Sequence, residues 1–322
     1  MSNFVPPDFR HALEQAALVA GKYLKKAFES EDLGGHSFKT ANPIGIVTKH
    51  DKHAETLIKD SLRKAFPELA FVGEEHGSTG MPDARYVAYI DPLDGTTNFS
   101  QHIPQFVTMI AVYDTQLKRV VSSVIYDPMA GTSDKMFSSE WRQQFKQYEI
   151  YKNTNSVKLP AKERDDSVTV VQISTLGHCL QKGYLSDSEY DLIHKVNKGL
   201  EDQNLRLRVS GSSGFDTISM IESMINGHAS ACIARAGAAW DFLPALPFAE
   251  ALGGTFRVPE DNKCEQWQMD ASQVARMRID GEVDKQAYYD WICWGDKSVV
   301  ETIANTISIT RNEHVRQSQV RT

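Results

Sequence analysis

The segment VAYIDPLDGTTNF at 87–99 sends an apolar run into Asp91, a proline turn and Asp94. Two carboxylates thus leave the end of one strand together, and the Leu93 carbonyl between them is free to turn inward as a third hard oxygen. Donors that are all oxygen form a cradle for a divalent cation and favour Mg²⁺ over zinc. Gly95, Thr96 and Thr97 then open a short helix whose exposed N–H groups suit a phosphate oxygen, so a metal site and an anion site lie side by side. Asp, Pro, Gly and Thr are also common turn formers, and a lone DPxDG is as readily a turn as a site. Two further segments shift that balance. FVGEEHG at 71–77 is a second strand-like run ending in Glu74 and Glu75, and AAWDFLPALPFAEALGG at 238–254 stands Asp241 at a helix start, where capping is the plain alternative.

Elements legible from periodicity must bring these acids together. After Pro6 and Pro7, Asp8 is placed to cap a helix with Phe9, Leu13, Ala16, Ala20, Leu24, Ala27 and Phe28 at three- and four-residue spacing, ending near Ser30. A second helix is predicted from about Asp51 to Phe66, with Ala54, Leu57, Ile58, Leu62 and Ala65 on one face and Pro67 as its stop. Runs at 71–73, 85–90, 106–113 and 120–126 read as strands of one sheet. A hydrophilic stretch from Tyr148 to Asp166 then precedes a strand at 168–174 and marks a boundary between two halves near Leu159. The second half alternates a polar helix near 188–200, a strand RLRVS, a helix over 213–226, a strand HASACIA and a helix over 241–252. The expected organisation is a half spanning 1–158 with the GEE and DPLDGTT motifs, a half spanning 159–311 with the WD motif, and a polar tail at 312–322. Residues 257–286 read as an excursion from the second half.

Composition narrows the function class without naming it. Lys plus Arg number 35 against 42 Asp plus Glu, a net charge of −7, so no basic surplus argues for a nucleic-acid surface and no nucleic-acid partner is expected. No window approaches 18 consecutive apolar residues and the N-terminus lacks a basic start followed by an apolar run, which predicts a soluble chain without a membrane partner. Cys179, Cys232, Cys264 and Cys293 are scattered with no CxxC pair, so reduced thiols and a cytoplasmic location are expected.

GEE, DPLDGTTNF, and WD followed by an apolar helix and GG stand in the order that the chain shares with the inositol monophosphatase family, the Mg²⁺-dependent, lithium-sensitive phosphatases, and the combination is specific. The chain resembles that family from the first helix to ALGGTF, with a weaker echo at DWICWGDKSVVETI. The resemblance implies an α+β fold, a layered αβαβα sandwich of the inositol monophosphatase and fructose-1,6-bisphosphatase type, and a homodimer. It also implies a ligand set for two or three Mg²⁺ ions: Glu74, Asp91 and the Leu93 carbonyl for the first, Asp91, Asp94 and Asp241 for the second, and Glu74 again for a weaker third. IVTKHDKHAE at 46–55 resembles the family's VTxxD segment, which sets Asp51 behind the Thr96 hydroxyl. Glu74 and Thr96 would then position an attacking water, Asp241 would lie near the leaving group, and Glu75 would be a solvated neighbour. The reaction implied is hydrolysis of a small phosphorylated metabolite without a side-chain nucleophile.

Two rival readings follow from the same residues. A haloacid-dehalogenase-type phosphatase requires DxDx[TV], whereas here two residues separate Asp91 from Asp94. A metal-binding regulatory or interaction protein on a phosphatase fold would carry a damaged acid set, and none of the matching positions is damaged.

Specificity rests on weaker signals. By the resemblance, the position that hydrogen-bonds inositol ring hydroxyls is Ala234, followed by Arg235, so the acceptor is missing and a cation suited to a second anionic group stands beside it. A bis-anionic substrate such as 3′-phosphoadenosine 5′-phosphate, fructose 1,6-bisphosphate or NADP is therefore the alternative to an inositol-phosphate-like one. Ser210, Gly211 and Ser212 in RVSGSS border the implied substrate pocket, joining Asp94, Gly95, Thr96, Thr97, Arg235 and Asp241 as substrate-binding candidates. Lys39 resembles the family's lid lysine. His76, His102 and His228 have no role in the pattern.

Overall fold

The computed structural model describes residues 7–30, 35, 37–38, 46–131, 135–158, 165–174, 204–234, 238–257 and 292–305. The elements in chain order are helix α1 (Phe9–Glu29), strands β1 (Ser37–Phe38) and β2 (Ile46–Val47), helix α2 (Lys49–Ala65), strands β3 (Ala70–Gly73), β4 (Gly77–Thr79) and β5 (Tyr86–Asp94), and helix α3 (Thr96–Ser100). Strands β6 (Val107–Asp114), β7 (Arg119–Asp127), β8 (Lys135–Arg142), β9 (Gln147–Lys152), β10 (Asn155–Ser156), β11 (Asp165–Ile173) and β12 (Leu205–Arg208) follow. Then come α4 (Ser213–Ile225), β13 (His228–Ala234), α5 (Ala239–Phe242), a 3₁₀ turn at Leu243–Ala245, α6 (Leu246–Ala251), β14 (Thr255–Arg257), β15 (Ile292–Gly295) and a helix α7 over 297–305.

Eight strands form one sheet in the order β10-β9-β8-β7-β6-β5-β3-β4, antiparallel except where β3 runs parallel to β5. Five form a second sheet, β12-β11-β13-β15-β14, in which β11 is parallel to both its neighbours. Strand alternation divides the apolar residues among three cores. On β5, Ala88 and Ile90 face α1 and α2, while Val87 and Tyr89 face the opposite side with α4, α5 and α6. On β13, Cys232 and Ala234 join that middle core, while Ala229, Ala231 and Ile233 pack with Val299, Val300 and Ile303 of α7. The layers are therefore helix, sheet, helix, sheet, helix, as the family resemblance implies, with no more than one residue's shift deciding which core a side chain enters.

Several local expectations are corrected. Asp8 precedes α1, but its carboxylate bonds the His11 ring at 2.9 Å and caps no backbone N–H. The stretch from Tyr148 begins as strand β9, with Tyr148 and Ile150 buried and Glu149 held by Arg142 at 2.7 Å; its polar outer face disguised the alternation. Ala65 is exposed, and α2 starts earlier than Asp51, capped by Thr48. The expected helix over 241–252 is broken into α5, the 3₁₀ turn and α6 at Pro244 and Pro247, since proline cannot donate to the preceding turn. The polar helix at 188–200, the boundary at Leu159, Lys39, Arg235, Cys179, Cys264, most of 257–286 and the tail lie outside the described residues. Cys232 and Cys293 are buried, and Cys293 Sγ lies 3.7 Å from the Arg257 carbonyl. No helix among the described residues is long and apolar enough to cross a membrane.

Candidate active site

Residues three apart on a regular strand face opposite sides, so Asp91 and Asp94 should diverge. They do not, because β5 bulges: Asp91 pairs with Met109 and Asp94 with Val107, three steps on one strand against two on the other. Pro92, which has no N–H to lose, occupies the bulge, and its carbonyl accepts from the Thr108 hydroxyl at 3.0 Å. The Leu93 N–H turns back to Asp91 Oδ1 at 3.1 Å. Gly95 then takes φ +96°, and a Cβ there would lie 2.8 Å from the Gln105 carbonyl, so the tight exit from the strand requires glycine.

Asp241 arrives from the other half of the chain. It sits in the first turn of α5, one carboxylate oxygen accepting from Ala238 N–H at 2.6 Å, so it caps from inside the helix and is not the N-cap residue itself. Asp91, Asp94 and Asp241 each offer an oxygen, and these oxygens lie within 4.8 Å of one another. Burial, then the charges of Glu74, Asp94 and Asp241, push the Asp91 carboxyl well above the usual range. Glu74 occupies the turn after β3, its N–H bonded to the Ile90 carbonyl at 3.1 Å. Converging acids of this kind are unfavourable unless a cation neutralises them. The donor set is all oxygen, and its span fits a divalent ion with bonds of ~2.0–2.6 Å.

Asp94 is held differently. Ser212 Oγ donates to it at 2.5 Å, Ser213 N and Oγ at 3.2 Å each, and Gly214 N at 2.6 Å, so its carboxylate docks on the start of α4. Burial raises its pKa against these donors, which favour the charged form. The Ser212 hydroxyl, expected to face substrate, is spent on Asp94; Ser210 donates to the Ser212 carbonyl at 3.0 Å, and only Gly211 of the three is exposed. Asn98 ties the loops together by donating to the carbonyls of Gln105 at 2.7 Å and Ser210 at 2.9 Å.

Thr96 Oγ1 donates within reach of two acceptors, Asp51 Oδ1 at 2.8 Å and the Leu93 carbonyl at 3.0 Å. Asp51 is fully buried and also accepts from Thr48 N at 2.8 Å and Thr48 Oγ1 at 2.5 Å. Burial nevertheless pushes its carboxyl up to about 6. Gly95, Thr96 and Thr97 remain half-exposed beside it. Ala234 is 1% exposed and belongs to the middle core, so its side chain offers nothing to a ligand.

Sequence reasoning missed Thr48, Glu55, Asn98, Ser213 and Gly214. Glu55 and Lys59 had a signal: they are charged residues at helical spacing within the apolar stripe of Ala54, Ile58 and Leu62. The donors to Asp94 had none, since they meet it only across the fold.

A model of the inositol monophosphatase family matches residues 7–287. Nus factor SuhB of Escherichia coli is 40% identical over 116 residues, 36% of this chain and 42% of that protein. Inositol-1-monophosphatase of Mesorhizobium japonicum is 34% identical over 131 residues, 40% of this chain and 46% of that protein. The aligned part thus spans less than half the length of each of these relatives. Among solved structures, inositol monophosphatase II of Staphylococcus aureus superposes with a TM-score of 0.65 at 16% identity, covering 95% of this chain and 96% of that one, a likeness of fold.

Proposed function

The chain belongs to the inositol monophosphatase family, and from that premise we propose that it hydrolyses a small phosphate monoester with Mg²⁺ as cofactor. The observation that supports this reading best is the convergence of Asp91, Asp94 and Asp241 within 4.8 Å, beside a threonine hydroxyl held by a buried acid. Two or three ions would be held by Glu74, Asp91, the Leu93 carbonyl, Asp94 and Asp241. When bound, Mg²⁺ supplies neutralisation of the phosphate oxygens and acidification of a water.

The chain's own residues supply orientation. With its proton given to Asp51, Thr96 Oγ1 presents lone pairs that accept from a water and aim it; Glu74 is a second acceptor. N–H groups of Gly95, Thr96 and Thr97 would receive phosphate oxygens, and Asp241 would lie toward the leaving oxygen. Ser212 supports Asp94, while Ser210 and Gly211 form the nearby wall. No side chain need attack phosphorus. We also infer a homodimer in the cytoplasm and inhibition by lithium, as in the family.

For substrate, Ala234 provides no acceptor for a ring hydroxyl. The absent hydrogen bond is worth ~0.5–1.5 kcal/mol, or roughly three- to tenfold against inositol 1-phosphate. With Arg235 next in sequence, an ester carrying a second anionic group is the better fit. A second reading, a regulatory partner protein, draws on the relative named a Nus factor. Phosphate release with Mg²⁺ from inositol 1-phosphate, histidinol phosphate, fructose 1,6-bisphosphate, NADP and 3′-phosphoadenosine 5′-phosphate separates them. The phosphatase reading expects turnover that is lost in chelator and falls by orders of magnitude in Asp241→Asn. Metal binding without phosphate release from any of the panel would favour the regulatory one.

A further inference from the structure

Resting on that metal-dependent reading, we propose that Glu55 is a positioning residue that holds the Glu74 turn in place for metal binding. Glu55 lies on α2 one turn after Asp51, fully buried. Its Oε2 accepts from Glu75 N at 2.7 Å, and His76 N lies 3.3 Å from Oε1 and 3.4 Å from Oε2. The turn at 74–76 is therefore pinned from two sides: Glu74 N–H goes to Ile90, the residue before Asp91, and the next two N–H groups go to Glu55. Lys59 Nζ pairs with Oε1 at 2.5 Å and the His76 ring approaches it at 3.2 Å.

Packing makes the same connection. A Cβ on Gly73 would lie 2.1 Å from Glu55 Oε1, so the glycine preceding Glu74 is the space that the carboxylate occupies. A buried ion pair of this sort contributes little net stability compared with apolar side chains of similar volume. Its value here is geometric: a carboxylate accepts both consecutive N–H groups, and no apolar side chain does. Helix α2 thereby serves two sides of the site, Asp51 orienting Thr96 and Glu55 the turn that carries Glu74.

The test uses Mn²⁺ binding followed by electron paramagnetic resonance in the full chain without substrate, together with the Mg²⁺ concentration for half-maximal phosphate release. Glu55→Gln and Glu55→Ala are each combined with Lys59→Met, so that no lysine charge is stranded. The Gln double variant keeps an oxygen for the two N–H groups and should stay within about threefold of wild type, whereas the Ala double variant should bind Mn²⁺ about tenfold or more weakly at a similar melting temperature. If the Ala form does not fold, Gly73→Ala, which displaces the Glu55 carboxylate without altering charge, should show the same loss. Equal Mn²⁺ affinity in the Ala and Gln forms, or wild-type affinity in Gly73→Ala, overturns the proposal. A wild-type chain that binds Mn²⁺ yet releases no phosphate overturns the phosphatase reading alone, since the binding comparison still decides for Glu55.

Discussion

The carboxylates around this site differ in their donors, and that difference sorts their work. Asp94 accepts four hydrogen bonds from the start of α4 and Asp51 three, two of them from its own cap, so both are fixed as acceptors in a single geometry. Asp91 is surrounded instead by other acids, the environment that a cation resolves. Asp216 stands behind them on α4, buried, with Ser174 Oγ donating at 3.0 Å. Burial pushes its carboxyl up to about 7, opposed by the Ser210 and Ser174 hydroxyls and reinforced by Asp94. An acid with a raised folded pKa binds more protons folded than unfolded between 3.8 and about 7, so its contribution to stability is lost as pH rises through that window. Asp216→Asn, which stays neutral and can still accept from Ser174, should therefore melt above wild type at pH 8 and close to it at pH 4. The gap is bounded by about 4 kcal/mol at ~1.4 kcal/mol per unit. A melting difference between the two proteins that does not change with pH would show that Asp216 is not the group responsible.

Elements place these residues through irregularity as much as through regular structure. The bulge in β5 turns Asp94 onto the side of Asp91, and Gly95 lets the chain leave at once into α3. Gly95→Ala combines a strained φ with a Cβ driven against the Gln105 carbonyl, so it should destabilise the protein by ~1–3 kcal/mol and shift Thr96 away from Asp51. Thermal melting and kcat should both fall, and a variant matching wild type in both would show that this turn relaxes freely. Regular elements were the legible part of the sequence: HASACIA is β13 to the residue, and Ala54, Ile58 and Leu62 form the buried stripe of α2 as spacing placed them, although Ala65 at its end is exposed. The order of the acid motifs likewise pointed to one site, because each ends or begins an element. What periodicity could not show was set by partners far along the chain. Strand β9 hides behind Glu149, which Arg142 pairs, and the four donors to Asp94 come from the start of α4, more than 110 residues downstream.

At the scale of the whole molecule, the site lies where the C-terminal end of β5, an interior strand of the eight-stranded sheet, meets the middle helical layer, and neither layer supplies it alone. Asp91 and Asp94 come from the first sheet, Asp241 from α5, and the α4 start closes on Asp94. Any ion bound by this set adds a link between layers already joined by a shared apolar core and by the hydrogen bonds of Asp94 to the start of α4. Metal-free, the arrangement opposes folding above the ordinary carboxylate range: the raised Asp91 pKa means that stability falls as pH rises beyond 3.8. Asp91→Asn retains an oxygen for the Leu93 N–H and removes one charge. In chelator at pH 8 it should melt at or above wild type. Saturating Mg²⁺ should reverse that order, because ligand at about 100 times its Kd adds about 2.7 kcal/mol to the protein that binds it. At about 2 °C per kcal/mol, wild type should gain roughly 5 °C and the variant little. Equal Mg²⁺-induced shifts in the two proteins would mean that the ion binds elsewhere, and that the convergence of the three aspartates is a feature of packing.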